Sequence, residues 1–198
     1  MALIDDFFVE LDEKWGAVPA RLRLSIIGCG ALVLQTDYDR GTKDSDILET
    51  TNLGAEAAAR LEKLAGRDSE MHQRRRHYVD VVGNGIPFLP EVPSWHPLDA
   101  LNERLRSLEL VALDVTDVCV AKLKPFRAQD KDDVDAMIRR GLVAHEKFVE
   151  RFQSAFLSFS YDARAYEALP RFIANLHEVE RDMFVVDETD IEIPSYVG

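Results

Sequence analysis

Hydrophobic positions along the chain alternate between helical and strand-like spacing. Ile4, Phe7, Phe8, Leu11 and Trp15 recur at helical intervals, so an amphipathic helix is expected over residues 3 to about 15, and Pro19 ends that region. "LRLSIIGCG" is a short β-rich run stopped by Gly28 and Gly30, and "ALVLQTDYD" reads as a short helix after that glycine turn. "DSDILET" predicts a second strand, "LGAEAAARLEKLAG" a helix closed by Gly66, and "HYVDVVG" a third strand with β-branched Val79, Val81 and Val82. The proline-rich "IPFLPEVPSWHPL" predicts a long irregular loop, and "LELVALD" a further strand. From Val115 onward the pattern is helical in four stretches, with Pro170 breaking or kinking the last. The expected class is therefore α+β. A mixed-sheet core spans 1–113, a helical region 114–190, and a loosely packed acidic tail 191–198.

Composition narrows the class of molecule. At 198 residues, with 46% hydrophobic and 30% charged side chains, the chain can bury roughly 70% of its unfolded surface without staples. Cys29 and Cys119 are far apart and lack metal-type spacing, so reduced thiols are expected. The N-terminus carries acids where a signal peptide carries bases, and no apolar run approaches 18 residues, so a cytoplasmic protein without a membrane span is expected. A net charge of −12 argues against a surface that coats nucleic acid, although Arg74, Arg75 and Arg76 form one dense basic run. The excess of acids suits a site that concentrates cations such as Mg²⁺.

The candidate chemistry lies in the first three strands. Gly28-Cys29-Gly30 lets the backbone turn tightly and approach a ligand, and a helix N-terminus beginning there favours phosphate. Asp44 and Asp46, two residues apart on a strand, share a face. Asp80 stands among valines, where a charge is costly unless paired or metal-bound. Taken alone, the two acids of "TKDSD" read more readily as a solvated strand face with capping or turn roles. Three carboxylates beside a phosphate-holding turn are what divalent-metal phosphoryl transfer requires.

"IIGCGALVL…DRGTKDSDILE" resembles the nucleotidyltransferase superfamily of the DNA polymerase β type, and within it the bacterial branch with AbiEii-type toxins and related small proteins. Gly28, Ala31 and Leu32 match the first part of the motif; Arg40, Thr42, Asp44 and Asp46 match the second. The resemblance implies Asp44, Asp46 and Asp80 as catalytic and metal-binding residues for Mg²⁺ or Mn²⁺. It implies a nucleotide site of Gly28, Cys29, Gly30, Arg40, Thr42 and Lys122, the lysine lying on a helix in "VCVAKLKPFRAQDKDDVD". The implied activity is transfer of an NMP from an NTP to an RNA (tRNA 3′ ends in related toxins), a protein or a small molecule. A toxin or defence role with a cognate antitoxin or partner protein goes with it. Cys29 and Ser45 depart from the family pattern, which has glycine or serine and an apolar residue there. They favour an alternative: a catalytically weak or inactive nucleotide-binding or regulatory partner module. A hydrolase using the same carboxylates ranks last.

Overall fold

Strand-forming runs separated by helices give a five-stranded mixed sheet in the order β3-β2-β1-β5-β4. The strands are β1 (Leu22–Ile27), β2 (Asp44–Leu48), β3 (Tyr78–Val82), β4 (Trp95–Pro97) and β5 (Leu108–Leu113). The computed structural model describes residues 2–160 and 163–193. β1 pairs antiparallel with β2 and parallel with β5, β2 runs parallel to β3, and β4 runs antiparallel to β5. The class is α+β, as the alternation of patterns implies. The chain falls into two compact units. One holds the residues up to Ile86 with Trp95–Asp114; the other holds Pro87–Ser94 with the described residues from Val115 on.

The first unit contains the whole sheet with α1 (Ala2–Trp15), α2 (Gly28–Gln35), α3 (Ala55–Ala65), α4 (Glu70–Arg75) and the short α5 (Asp99–Asn102). The apolar stripe of α1 is buried through Phe7, Phe8 and Leu11, and Leu24, Ile26, Ile47, Leu110 and Ala112 supply the strand side of this core. Asp12, on the same helix, is buried as well. Its carboxylate accepts from three consecutive backbone amides, Arg106 (3.0 Å), Ser107 (2.8 Å) and Leu108 (2.7 Å), at the entry to β5. One side chain thereby satisfies the donors of a chain segment more than 90 residues away.

Several elements differ from the sequence expectation. α2 begins at Gly28 itself, so the glycine turn is the helix's first turn and not a loop before it. α4 was not foreseen, because "EMHQRR" has one apolar residue and no period; it forms behind the Ser69 cap, whose hydroxyl accepts from His72 N at 3.1 Å. The proline-rich loop contains β4, an edge strand, where proline is tolerated because the missing N–H can face away from the ladder.

The second unit comprises α6 (Val115–Lys122), α7 (Ala128–Arg139), α8 (His145–Ser160), α9 (Ala163–Tyr166), α10 (Leu169–Val179) and a π-helical turn at Glu180–Phe184. The expected last helix is thus divided. Pro170 sits in the first turn of α10, where its missing N–H costs no helical bond. Pro87–Ser94 joins this unit because Phe88 is fully buried against the rings of Phe152 (5.6 Å), Phe159 (5.1 Å) and Phe172 (4.9 Å). Buried acids here have basic partners: Asp117 takes Arg151 at 2.6 and 2.7 Å, and Glu180 meets His145 at 2.8 Å. Burial pushes the Glu180 carboxyl up, but Thr189 and His145 more than offset it and hold it below the usual value. The same contacts anchor Thr189, just ahead of the expected tail, of which residues 194–198 lie outside the described residues. No helix among the described residues is long and apolar enough to cross a membrane.

Asp12→Ala removes the acceptor of two buried amides and a third partly buried one, and is expected to lower stability by about 3 kcal/mol in urea unfolding. Asp12→Asn, which keeps one acceptor oxygen, should lose less.

Candidate functional site

Strand alternation and cross-strand register together decide which side chains meet. Ile27 of β1 lies opposite Asp46, Asp46 lies opposite Asp80, and Asp44 lies opposite Tyr78. Asp44, Asp46, Tyr78 and Asp80 therefore occupy one face of the sheet, while Ser45, Ile47 and Val79 occupy the other. Asp44 and Asp46 are half-buried and Asp80 is exposed, so the carboxylate face opens towards solvent at β3.

Gly28 joins this face to α2. Its φ is +64°, and a side-chain carbon on it would meet Asp46 Oδ2 at 2.5 Å. Only glycine fits, on both conformational and steric grounds, and the close approach foreseen for a ligand is made by Asp46 itself. Gly30, two residues on, packs against the opposite surface: a carbon there would lie 3.1 Å from Ser45 Oγ. Cys29, between them, is half-buried and reduced.

Asp44 is held at both oxygens. The Thr42 hydroxyl lies 3.1 Å from Oδ1 and 2.9 Å from the Asp44 carbonyl, and the Tyr78 hydroxyl donates to Oδ2 at 3.2 Å. Tyr78 in turn accepts from Arg67 Nη2 at 2.8 Å, and the same guanidinium lies 5.1 Å from the centre of the Tyr78 ring. The Tyr78 bond is the leading reason that the exposed Arg67 is held even more firmly protonated than usual, with Asp68 and Asp80 adding to it. Arg40 and Thr42 line a cavity of about 360 Å³ with Ile4, Val33 and Tyr38, on the loop between α2 and β2.

Ser45, the polar residue where an apolar one was expected, is fully buried and meets His77 Nε2 at 2.9 Å. His77 is buried too; its Nδ1 lies 3.3 Å from the Thr42 carbonyl and its ring packs edge-on against Phe7 at 4.8 Å. Burial lowers the His77 pKa, and the Thr42 carbonyl and Asp44 only partly oppose it. The departure at Ser45 is thus absorbed on the face away from the carboxylates.

Lys122 belongs to the second unit. Its buried ammonium is paired with Asp130 (3.0 Å) and Asp133 (2.7 Å). Burial pulls its pKa down, but these carboxylates outweigh that and raise it overall. Of the two adjacent acids it is Asp133, and not Asp132, that turns inward. The basic run is also partly committed, since Arg74 and Arg75 both bond Glu10.

The chain matches, over residues 7–181, the model of a family described as "Nucleotidyltransferase of unknown function (DUF6036)". The chain belongs to this nucleotidyltransferase family. No curated protein and no solved structure gives a significant match. The family covers both units described above and carries with it an NTP as substrate.

Among the described residues, no three His, Cys, Asp or Glu side chains are gathered into a preformed metal cage. The donors on the carboxylate face nevertheless fit Mg²⁺ or Mn²⁺. They are hard oxygens, and Mg²⁺ characteristically takes one or two carboxylates, keeps several waters and draws its remaining ligands from substrate phosphates. Tyr78 and Arg67 were missed from sequence. The first could have been found by parity, because it stands two residues before Asp80; the second is placed only by tertiary structure.

Gly28→Ala is expected to cost about 1–2 kcal/mol for the left-handed backbone alone and to displace the Asp46 carboxylate, which urea unfolding and NTP binding would register together. His77 favours its neutral form in the folded protein, so the unfolded chain protonates first. Its contribution is complete above about pH 6.5 and declines as the pH falls towards the lowered folded value. Urea unfolding at pH 7.5 and 5.5 should show this loss, and His77→Gln should diminish it.

Proposed function

We propose that the carboxylate face of this nucleotidyltransferase is its active site, with Asp44 and Asp46 holding Mg²⁺ or Mn²⁺. The observation that carries the reading is the register that sets Asp46 opposite Asp80 and against Gly28, with Asp44 on the same face. When bound, the cation neutralises phosphate charge and polarises the phosphorus under attack. The first turn of α2 offers backbone N–H groups to the NTP phosphates. Asp80, exposed at the edge strand, takes the proton of the acceptor hydroxyl. The acceptor oxygen bonds to the α-phosphorus, the bond from that phosphorus to the bridging oxygen breaks, and pyrophosphate leaves. The acceptor is an RNA, a protein or a small molecule, and a toxin or defence role with a partner protein fits the likeness of the motif to AbiEii-type toxins.

A second reading is a nucleotide-binding module without turnover. Cys29, in the first turn of α2, favours it; Ser45 does not, because its side chain serves the opposite face of the sheet.

Incubation with Mg²⁺ or Mn²⁺, each labelled NTP, and pools of RNA, protein and small metabolites separates the two. Label transfer should fall about 100-fold or more in both Asp44→Asn and Asp46→Asn. Tight NTP binding without transfer to any pool would favour the silent module. Absence of NTP and metal binding at millimolar concentrations would overturn both readings.

A further inference from the structure

The α3–α4 turn is constrained at each of its residues. A side-chain carbon on Gly66 would meet the Glu62 carbonyl oxygen at 2.4 Å, so the end of α3 leaves no room for another residue. Asp68 holds a left-handed φ of 70°, and its N–H donates to His72 Nδ1 at 3.0 Å. Ser69 caps α4. One left-handed aspartate and one serine cap fix the course of the turn. What the turn presents is Arg67, lying against one side of Tyr78 while the His72 ring meets Tyr78 edge-on at 4.9 Å.

Arg67 donates to the Tyr78 hydroxyl, and that hydroxyl donates to Asp44 Oδ2, a chain of two bonds at 2.8 and 3.2 Å running from an exposed cation to a half-buried carboxylate. The guanidinium donates to the phenol, which is the leading influence on it, with Asp68 and Asp80 adding to it. The phenol has one proton. With the guanidinium occupying its acceptor side, that proton is directed at Asp44 Oδ2 and fixes the orientation of the carboxylate.

We propose that Arg67 and Tyr78 are a positioning pair for Asp44, setting the orientation of this carboxylate and hence the affinity of the site for its divalent cation. The inference rests on the assignment of Asp44 as a metal ligand. Groups that orient metal-binding side chains from behind change metal affinity by about 10–100-fold when removed. Asp44 is fixed at both oxygens, by Thr42 and Tyr78, before any cation arrives.

The test is a Mn²⁺ titration followed by electron paramagnetic resonance, in the presence of a non-hydrolysable NTP, with urea unfolding of each variant alongside. Tyr78→Phe, which keeps the buried ring, should raise the Mn²⁺ dissociation constant about 10–100-fold with little change in the unfolding midpoint. Arg67→Met, at an exposed position, should act in the same direction. The double variant should be no weaker than Tyr78→Phe alone, because both lie on one chain of bonds. Mn²⁺ affinity unchanged in Tyr78→Phe, while Asp44→Asn abolishes it, would overturn the positioning role and leave the metal site standing. Mn²⁺ affinity equal in wild type and Asp44→Asn, or absent from both, would overturn the metal assignment and this inference with it.

Discussion

The register between β1 and β2 is the constraint on which the carboxylate face depends. Ile26 opposite Ile47 and Ile27 opposite Asp46 place one isoleucine pair in the core and set Asp46 beside Gly28. A slip of one residue would exchange the faces, burying Asp44 and Asp46 and exposing Ser45 and Ile47. The cost of burying two carboxylates in that way far exceeds any gain from alternative pairing. The acids thus help to specify the register as well as to furnish the proposed site. Gly28 completes the constraint, because no other residue lets the first turn of α2 lie against Asp46.

Ser45 and His77 show how a polar position is accommodated behind such a face. A lone buried hydroxyl would be a liability, but its partner comes from the residue just before β3, and the other imidazole nitrogen is directed at the Thr42 carbonyl. Thr42 therefore serves both sides of β2: its carbonyl meets His77 and its hydroxyl meets Asp44. This links the loop after α2, the buried side of the sheet and the carboxylate face in one hydrogen-bonded unit. The motif threonine need not touch a ligand to matter there.

The parts of the fold legible in the sequence were those with strong periodicity. α1, α3, α8 and the central strands stood out because their apolar residues recur at one spacing for several turns or pairs. α4 carries one buried residue, Met71, and β4 is three residues long, so neither has a period to detect. The cofacial placement of Asp44 and Asp46 followed from alternation alone, but pairing Asp46 with Asp80 required the parallel register of β2 and β3. Arg67 lies in a turn between two helices, and nothing in its neighbours states that the turn folds over β3. The prolines of Pro87–Ser94 mark it as loop, which it is, but its allegiance to the helical unit depends on where Phe88 finds other phenylalanines.

A comparison of the acids separates those that serve structure from those that remain open to chemistry. Asp12 is saturated by three backbone amides, Asp117 by Arg151 and the Ser94 amide, and Asp133 is paired with Lys122. Each is buried and each has its charge met by donors in fixed positions, the usual condition for retaining a carboxylate in a core. Among the described residues Asp44 is met by two hydroxyls, which orient it without neutralising it, and Asp80 is exposed with no ion pair. The negative charge that the fold leaves uncompensated is therefore not spread evenly over an acidic chain. Some of it is held in a fixed orientation on one face of the central sheet, beside the first turn of a helix, the arrangement that the proposed cation and phosphate site requires.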